Sequence, residues 1–172
     1  WEIFETPWTV QSLWWHYTYT QDRELLKNRI YPLLRKASLF LVGYMTREGA
    51  NPKGDDKYHL FPTIVPELYG LSEGLDKNLD GIADLTLTKF LFHAFLQAIA
   101  DLGMEEEEAD LAGNVRKILA AFPEYPTALS RRGEVFVSVD TENPDTTVYN
   151  VPTNPMPVFP GEDIDAQSDS GH

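Results

Sequence analysis

No cysteine occurs in the chain, and basic residues are scarce: 14 Lys and Arg stand against 27 Asp and Glu, for a formal net charge of −13. The first absence removes disulfide frameworks, thiolate metal sites and cysteine nucleophiles, and it leaves the redox compartment open. The second argues against nucleic acid and anionic membrane surfaces, whose phosphates this charge repels, and fits neutral sugars or cations. No hydrophobic run reads as long enough to span a membrane, and none has the pattern of a signal peptide. The H-E-x-x-H spacing, the G-x-S-x-G elbow, the phosphate loop and the dinucleotide fingerprint are all missing. The histidines at 16, 59, 93 and 172 share no metal spacing, so no zinc site is assigned, and His93 reads as a satisfied core residue.

What is present is enough for one domain, since 172 residues with 42% hydrophobic content support a single core. Residues 8–21 read as a helix rich in flat rings: Trp8, Trp14, Trp15, Tyr17 and Tyr19. Asp22 is an N-cap for a second helix whose apolar positions from Leu25 to Leu41 recur at helical spacing, with Pro32 expected to start a new segment or kink it. A polar loop, 47–57, follows. Residues 82–102 form a helix that is apolar on nearly every side and therefore buried. Gly103 ends it, and the acidic run Glu105 to Glu108 opens a fourth helix, where negative charge favours the positive end of the helix dipole. From Pro123 the chain changes character. Residues 134–139 alternate like a strand, the rest is rich in Pro, Asn and Asp, and the last ten residues are expected to be mobile. The fold expected is all-α: antiparallel helix pairs in a single partial domain, helical over 7–122, with an extended tail over 123–172. The chain begins at Trp1 and reads as a piece of something longer, with exposed helix faces that favour association.

The segment between the second and third helices carries the chemistry. In Tyr58-His-Leu-Phe-Pro-Thr-Ile-Val-Pro-Glu-Leu-Tyr-Gly70, two prolines forbid a continuous helix and stiffen the backbone around a single carboxylate, Glu67. Apolar neighbours favour the proton-carrying form of such a group by desolvation, which suits a general acid; a surface cap or ion pair is the alternative. Asp76, Asn78, Asp80 and Asp84, with Gly81 and the carbonyl of Ile82, match the first nine positions of an EF-hand-type calcium loop. The twelfth position holds Leu87 instead of a bidentate Glu, and ordinary turns with Asp84 as a helix cap explain the same residues. Trp14, Trp15, Tyr17 and Tyr19 offer faces on which sugar rings stack, or else form a helix–helix core; adjacent tryptophans point about 100° apart.

Together these motifs resemble glycoside hydrolase family 95, the α-L-fucosidase family. Trp14-Trp-His-Tyr-Thr-Tyr-Thr-Gln-Asp22, followed by Tyr31-Pro-Leu-Leu34 and Ala37, resembles that family's W-x-H-Y-x-x-T-x-D…Y-P-L-L-x-x-A pattern. Pro62-Thr-Ile-Val-Pro-Glu67 resembles its P-S-x-S-P-E loop, and Ile82-Ala-Asp-Leu85 and Pro157-Val-Phe-Pro-Gly-Glu162 are similar to later segments. The resemblance implies part of an (α/α)6 toroid and an inverting hydrolase. Glu67 would be its general acid, and Trp14, His16, Tyr17, His59 and Tyr69 would contact carbohydrate. It implies that the base and its assisting asparagine pair lie outside this chain, so the isolated segment is expected to be inactive. No cofactor is required by it, although the loop above admits calcium. Thr63 and Val65 replace the loop's serines and Leu68 an asparagine, departures that bear on fucose specificity more than on the glycosidase class. Sugar-polymer breakdown favours a periplasmic or extracellular setting. The alternative is a noncatalytic carbohydrate-binding or scaffolding domain, with or without calcium.

Overall fold

The computed structural model describes residues 2–165. Its elements are α1 (Glu5–Thr20), a single turn α2 (Arg23–Leu25), α3 (Tyr31–Thr46), α4 (Ile82–Leu102), α5 (Ala109–Ala120) and a hairpin of β1 (Thr127–Ser130) with β2 (Gly133–Phe136). The chain is mostly helical, and the hairpin amends the all-helical expectation. Its strands pair antiparallel, with Ser130 opposite Gly133 and Thr127 opposite Phe136, so strand structure begins seven residues before the alternating run. Residues 127–130 carry too little alternation to announce their half of the ladder.

Two local rules shape the helices. Pro7 sits in the first turn of α1, where its missing N–H costs nothing, so the helix starts ahead of the proline instead of after it. Pro32 takes the second position of α3, and the turn before it, Leu26–Ile30, is π-helical. A widened turn accommodates a ring that neither donates to nor fits against the carbonyl four residues back. The chain thus bends without a break. Asp22 caps as expected, its Oδ1 accepting from Leu25 N at 2.9 Å.

Helix α4 is the centre. Leu85, Leu87, Phe92, Phe95 and Ile99 are fully buried, and α1, α3 and α5 pack around it. By length and composition α4 would in fact cross a membrane, which corrects the sequence reading, but 72% of its apolar window is buried inside the fold, as in a core helix. Directions follow from the ties at its ends. Phe4 N donates to Asp84 Oδ1 at 2.9 Å and Tyr17 Oη to Asp101 Oδ2 at 2.8 Å, so α1 and α4 run parallel. Helix α3 runs back against both: Tyr31, at its start, donates to Glu108 beyond the far end of α4. The result is two antiparallel pairs, α1/α3 and α4/α5, side by side.

Three readings change on packing. Glu108, the last residue of the acidic run, is more than part of a cap. It is buried and accepts from Tyr31 and from Arg35 Nε at 2.6 Å, which joins α3 to the start of α5. His93 is exposed, because its position falls on the side of α4 that no helix covers. The tail is irregular but packed: Met156 joins Phe4, Ala83 and Leu87 in a second cluster, and Gln11 Nε2 donates to Pro160 O at 2.7 Å. Of the ten residues expected to be mobile, those after 165 lie outside the described residues. An apolar groove of about 430 Å³ between α1 and α3, floored by Val10 and rimmed by Leu13, Leu33 and Phe40, is the exposed helix flank anticipated from the sequence. Phe95→Ala removes a fully buried ring from α4 and should lower the unfolding free energy by about 3–5 kcal/mol in a denaturant titration.

Candidate active site

The loop that carries Glu67 lies at the end of the fold where α1 and α4 begin and α3 and α5 finish. Tyr58 N donates to Ala121 O at 3.0 Å, the last carbonyls of α5 anchoring its start. Tyr44 Oη donates to Pro62 O at 2.6 Å, and the Arg47 guanidinium, 3.6 Å above the Tyr44 ring, donates to the carbonyls of Tyr44 and Phe61. Arg47 thereby satisfies an end carbonyl of α3 while holding the loop, a natural use of a cation at a helix C-terminus.

Glu67 forms the tip. Val65 and Pro66 before it are buried, whereas Glu67 is exposed with φ at +54°, a left-handed conformation that costs a residue with a Cβ roughly 1–2 kcal/mol. The desolvating surroundings expected of Glu67 are therefore not supplied by these residues: the prolines turn it outward. Rigidity is supplied beneath it by Asn78, which is fully buried. Asn78 Nδ2 donates to Thr63 O at 2.8 Å and Gly70 O at 2.9 Å, while Oδ1 accepts from Ser72 N at 2.8 Å and Ser72 Oγ at 2.9 Å. Its backbone carbonyl also accepts from Thr63 N at 2.7 Å.

A second tie starts at His59, which is buried. Its Nδ1 lies 2.5 Å from Asp80 Oδ2 and its Nε2 2.9 Å from Asp55 Oδ1. Asp80 also accepts from Leu60 N at 2.9 Å. The hydrogen bond from Asp80 raises the His59 pKa against the opposing effect of burial, and Asp55 is held below the usual carboxylate range by its bond to His59. Both ring nitrogens are occupied, so His59 braces the loop. Asp84 is a third tie. It is fully buried, its carboxyl pushed up to about 8 by desolvation, and it joins the start of α1 to α4 through Phe4 N. Asp84 Oδ2 and Thr63 Oγ1 converge on Gly81, where a Cβ would lie 2.9 and 3.1 Å from them, so a larger residue there would have to displace these side chains.

The four residues matched to a calcium loop are thus dispersed. Asn78 has no free amide position, Asp80 and Asp84 face different partners, and Asp76 is exposed. Among the described residues no group of three or more His, Asp or Glu is arranged to hold a metal ion.

The other predicted sugar contacts separate as well. Tyr69 stays with the loop: its hydroxyl donates to Glu142 Oε2 at 3.1 Å, and Lys77 Nζ stands 4.4 Å from its ring. Trp14, His16 and Tyr17 lie ten or more residues along α1 from Phe4, roughly 15–20 Å toward the opposite end at 1.5 Å per residue. Trp14 is buried and packs on Tyr17, whose hydroxyl is spent on Asp101; His16 is exposed. Trp15 stacks on Phe159 of the tail. Trp14 also lines a cavity of about 460 Å³ with Phe90, His93, Gln97 and Glu162. One buried carboxylate was missed altogether. Glu142 accepts from Tyr69 and from Tyr149, and it sits in a stretch of tail with no periodicity to single it out.

His59 and Asp84 both bind protons more tightly in the folded chain than in the unfolded one, so stability falls as pH rises. For Asp84 the loss runs from its ordinary value of 3.8 to about 8; for His59 the contribution is full below its ordinary 6.5 and lost through its raised value. Asp84→Asn keeps the acceptor for Phe4 N and removes the titration. Its melting temperature should therefore be flatter with pH than the parent's between about pH 4 and 8, and parallel profiles would contradict the assignment.

A model of the glycosyl hydrolase family 95 catalytic domain matches residues 1–169. Alpha-L-fucosidase 2 of Arabidopsis thaliana is 28% identical over 162 residues, which covers 91% of this chain. The chain spans 18% of that relative's length. With the match extending over nearly every residue, including the proline loop and its ties, this chain belongs to the glycosyl hydrolase family 95 catalytic domain.

Proposed function

We propose that this chain is the part of an inverting glycoside hydrolase that supplies the general acid, and that Glu67 is that acid. The observation that carries the reading is the loop itself: an exposed carboxylate in a left-handed turn, standing on buried residues that are hydrogen-bonded at both ends of the turn. A rigid, outward-facing acid is what protonation of a glycosidic oxygen requires. The Glu67 carboxyl gives its proton to the leaving oxygen as the C–O bond breaks, while a second carboxylate about 6.5–9.5 Å away draws a proton from the water attacking the opposite face. Among the carboxylates tied to this loop, Glu142, reached through Tyr69, is committed to two tyrosines, and Asp80 and Asp55 are committed to His59. In this reading the base comes from elsewhere in the whole protein, and the isolated chain does not complete the reaction.

In this reading the two helix pairs are a section of an (α/α)6 toroid, and the groove between α1 and α3 is where its neighbouring pair packs. The substrate is a glycoside, an α-L-fucoside by likeness to the named relative. Trp14, His16 and Tyr17 then shape the helix layer instead of touching the reacting sugar.

In the whole protein, Glu67→Gln should lower kcat on an unactivated glycoside about 10²–10⁴-fold while sugar binding is retained. Unchanged turnover would favour a noncatalytic carbohydrate-binding domain instead.

A further inference from the structure

Asn78 stands where two loops must be joined. The segment from Thr63 to Gly70 leaves the body of the fold, turns at Glu67 and returns. One side chain bonds both of its ends. The single Nδ2 of Asn78 donates to the carbonyl before the turn, Thr63 O at 2.8 Å, and to the carbonyl after it, Gly70 O at 2.9 Å. Its Oδ1 is held in turn by Ser72 N at 2.8 Å and Ser72 Oγ at 2.9 Å, which fixes which way the amide faces. All four hydrogen-bonding positions of the carboxamide are used, and the side chain is fully out of solvent. No other residue type fits. Aspartate would set an acceptor against two carbonyl oxygens, and alanine would leave both carbonyls and the Ser72 amide without partners in a buried place.

We propose that Asn78 is a positioning residue for Glu67: a clasp that closes the base of the acid-bearing turn and fixes where the carboxyl meets the glycosidic oxygen. The inference rests on the reading of Glu67 as general acid. It gives Asn78 a role in the reaction without contact to substrate. Ser72 is the second part of the device, since its hydroxyl also accepts from Lys77 N at 3.0 Å and so ties down the segment that follows the turn.

A displaced acid leaves a signature that a merely weakened fold does not. Substrates with an activated aryl leaving group depart without a proton, whereas alkyl glycosides need one, so loss of the acid slows the second class selectively. A partly unfolded sample slows both equally. The test uses the whole protein that carries this chain, with nitrophenyl and alkyl α-glycosides of whichever sugar it turns over. Asn78→Asp should lower kcat on the alkyl glycoside roughly 10- to 100-fold while kcat on the nitrophenyl glycoside falls less than about threefold, with KM changed little. Ser72→Ala, which removes one of the two bonds to Asn78 Oδ1, should move the ratio the same way by a smaller factor. It decides the matter if Asn78→Asp fails to fold. Equal slowing of both substrates, or no slowing in either variant, would overturn the clasp. Glu67→Gln separates this from the parent reading. If it shows the selective loss and neither clasp variant does, only the role of Asn78 falls; if it leaves both substrates unaffected, the acid assignment itself falls.

Discussion

Helix α4 cannot stand in water, and the rest of the structure is arranged around that constraint. Its sequence is apolar on nearly every side, so one flanking helix would leave most of it exposed. Helices α1, α3 and α5 pack against it, and the tail adds Met156 near its start. Once α4 is enclosed, its N-terminus is fixed in space, and with it the residues just before it. Asn78, Asp80 and Gly81 all precede that terminus by a few positions. The rigidity of the Glu67 loop is therefore inherited from the core, passed through side chains anchored at the first turn of one buried helix.

The loop differs from the core in what holds it. Core helices depend on burial of apolar area; the loop depends on polar groups that are buried and paired, which fail together when one partner is removed. Asp84 and His59 illustrate the point: each is buried and each carries a raised pKa, Asp84 through desolvation and His59 through its hydrogen bond to Asp80, against the opposing effect of burial. Perturbed groups often mark catalytic residues. Here they mark the supports, and the candidate acid is the exposed residue that those supports carry.

Much of the fold was legible before any coordinates. The apolar periodicity of Leu25 to Leu41 and of Ile82 to Leu102, the stop at Gly103 and the cap at Asp22 depend on neighbours along the chain, and local pattern reports them well. The stiff loop around Glu67 was legible because prolines constrain backbone wherever they stand. What the sequence did not reveal lay in contacts between distant residues. Asn78 and the aspartates at 80 and 84 have the composition of a cation loop, yet each finds a protein partner from another segment. Trp14 and Tyr17 have the composition of a sugar platform, yet the helix that bears them runs away from the loop. His93 is apolar in its neighbours and exposed in space, because no local signal says which side of α4 is left uncovered. Glu108 looked like one of four equivalent charges, and only the position of Tyr31 and Arg35 distinguishes it.

In the proposed mechanism a buried, hydrogen-bonded scaffold presents Glu67 to a glycosidic oxygen. A crystal structure of the whole protein with an unhydrolysable glycoside bound tests it most directly. A Glu67 carboxyl oxygen should lie about 2.6–3.2 Å from the bridging atom, with a second carboxylate, from outside this chain, about 6.5–9.5 Å away across the sugar. A ligand bound with Glu67 turned to solvent, or a different carboxylate at the bridging atom, would contradict it.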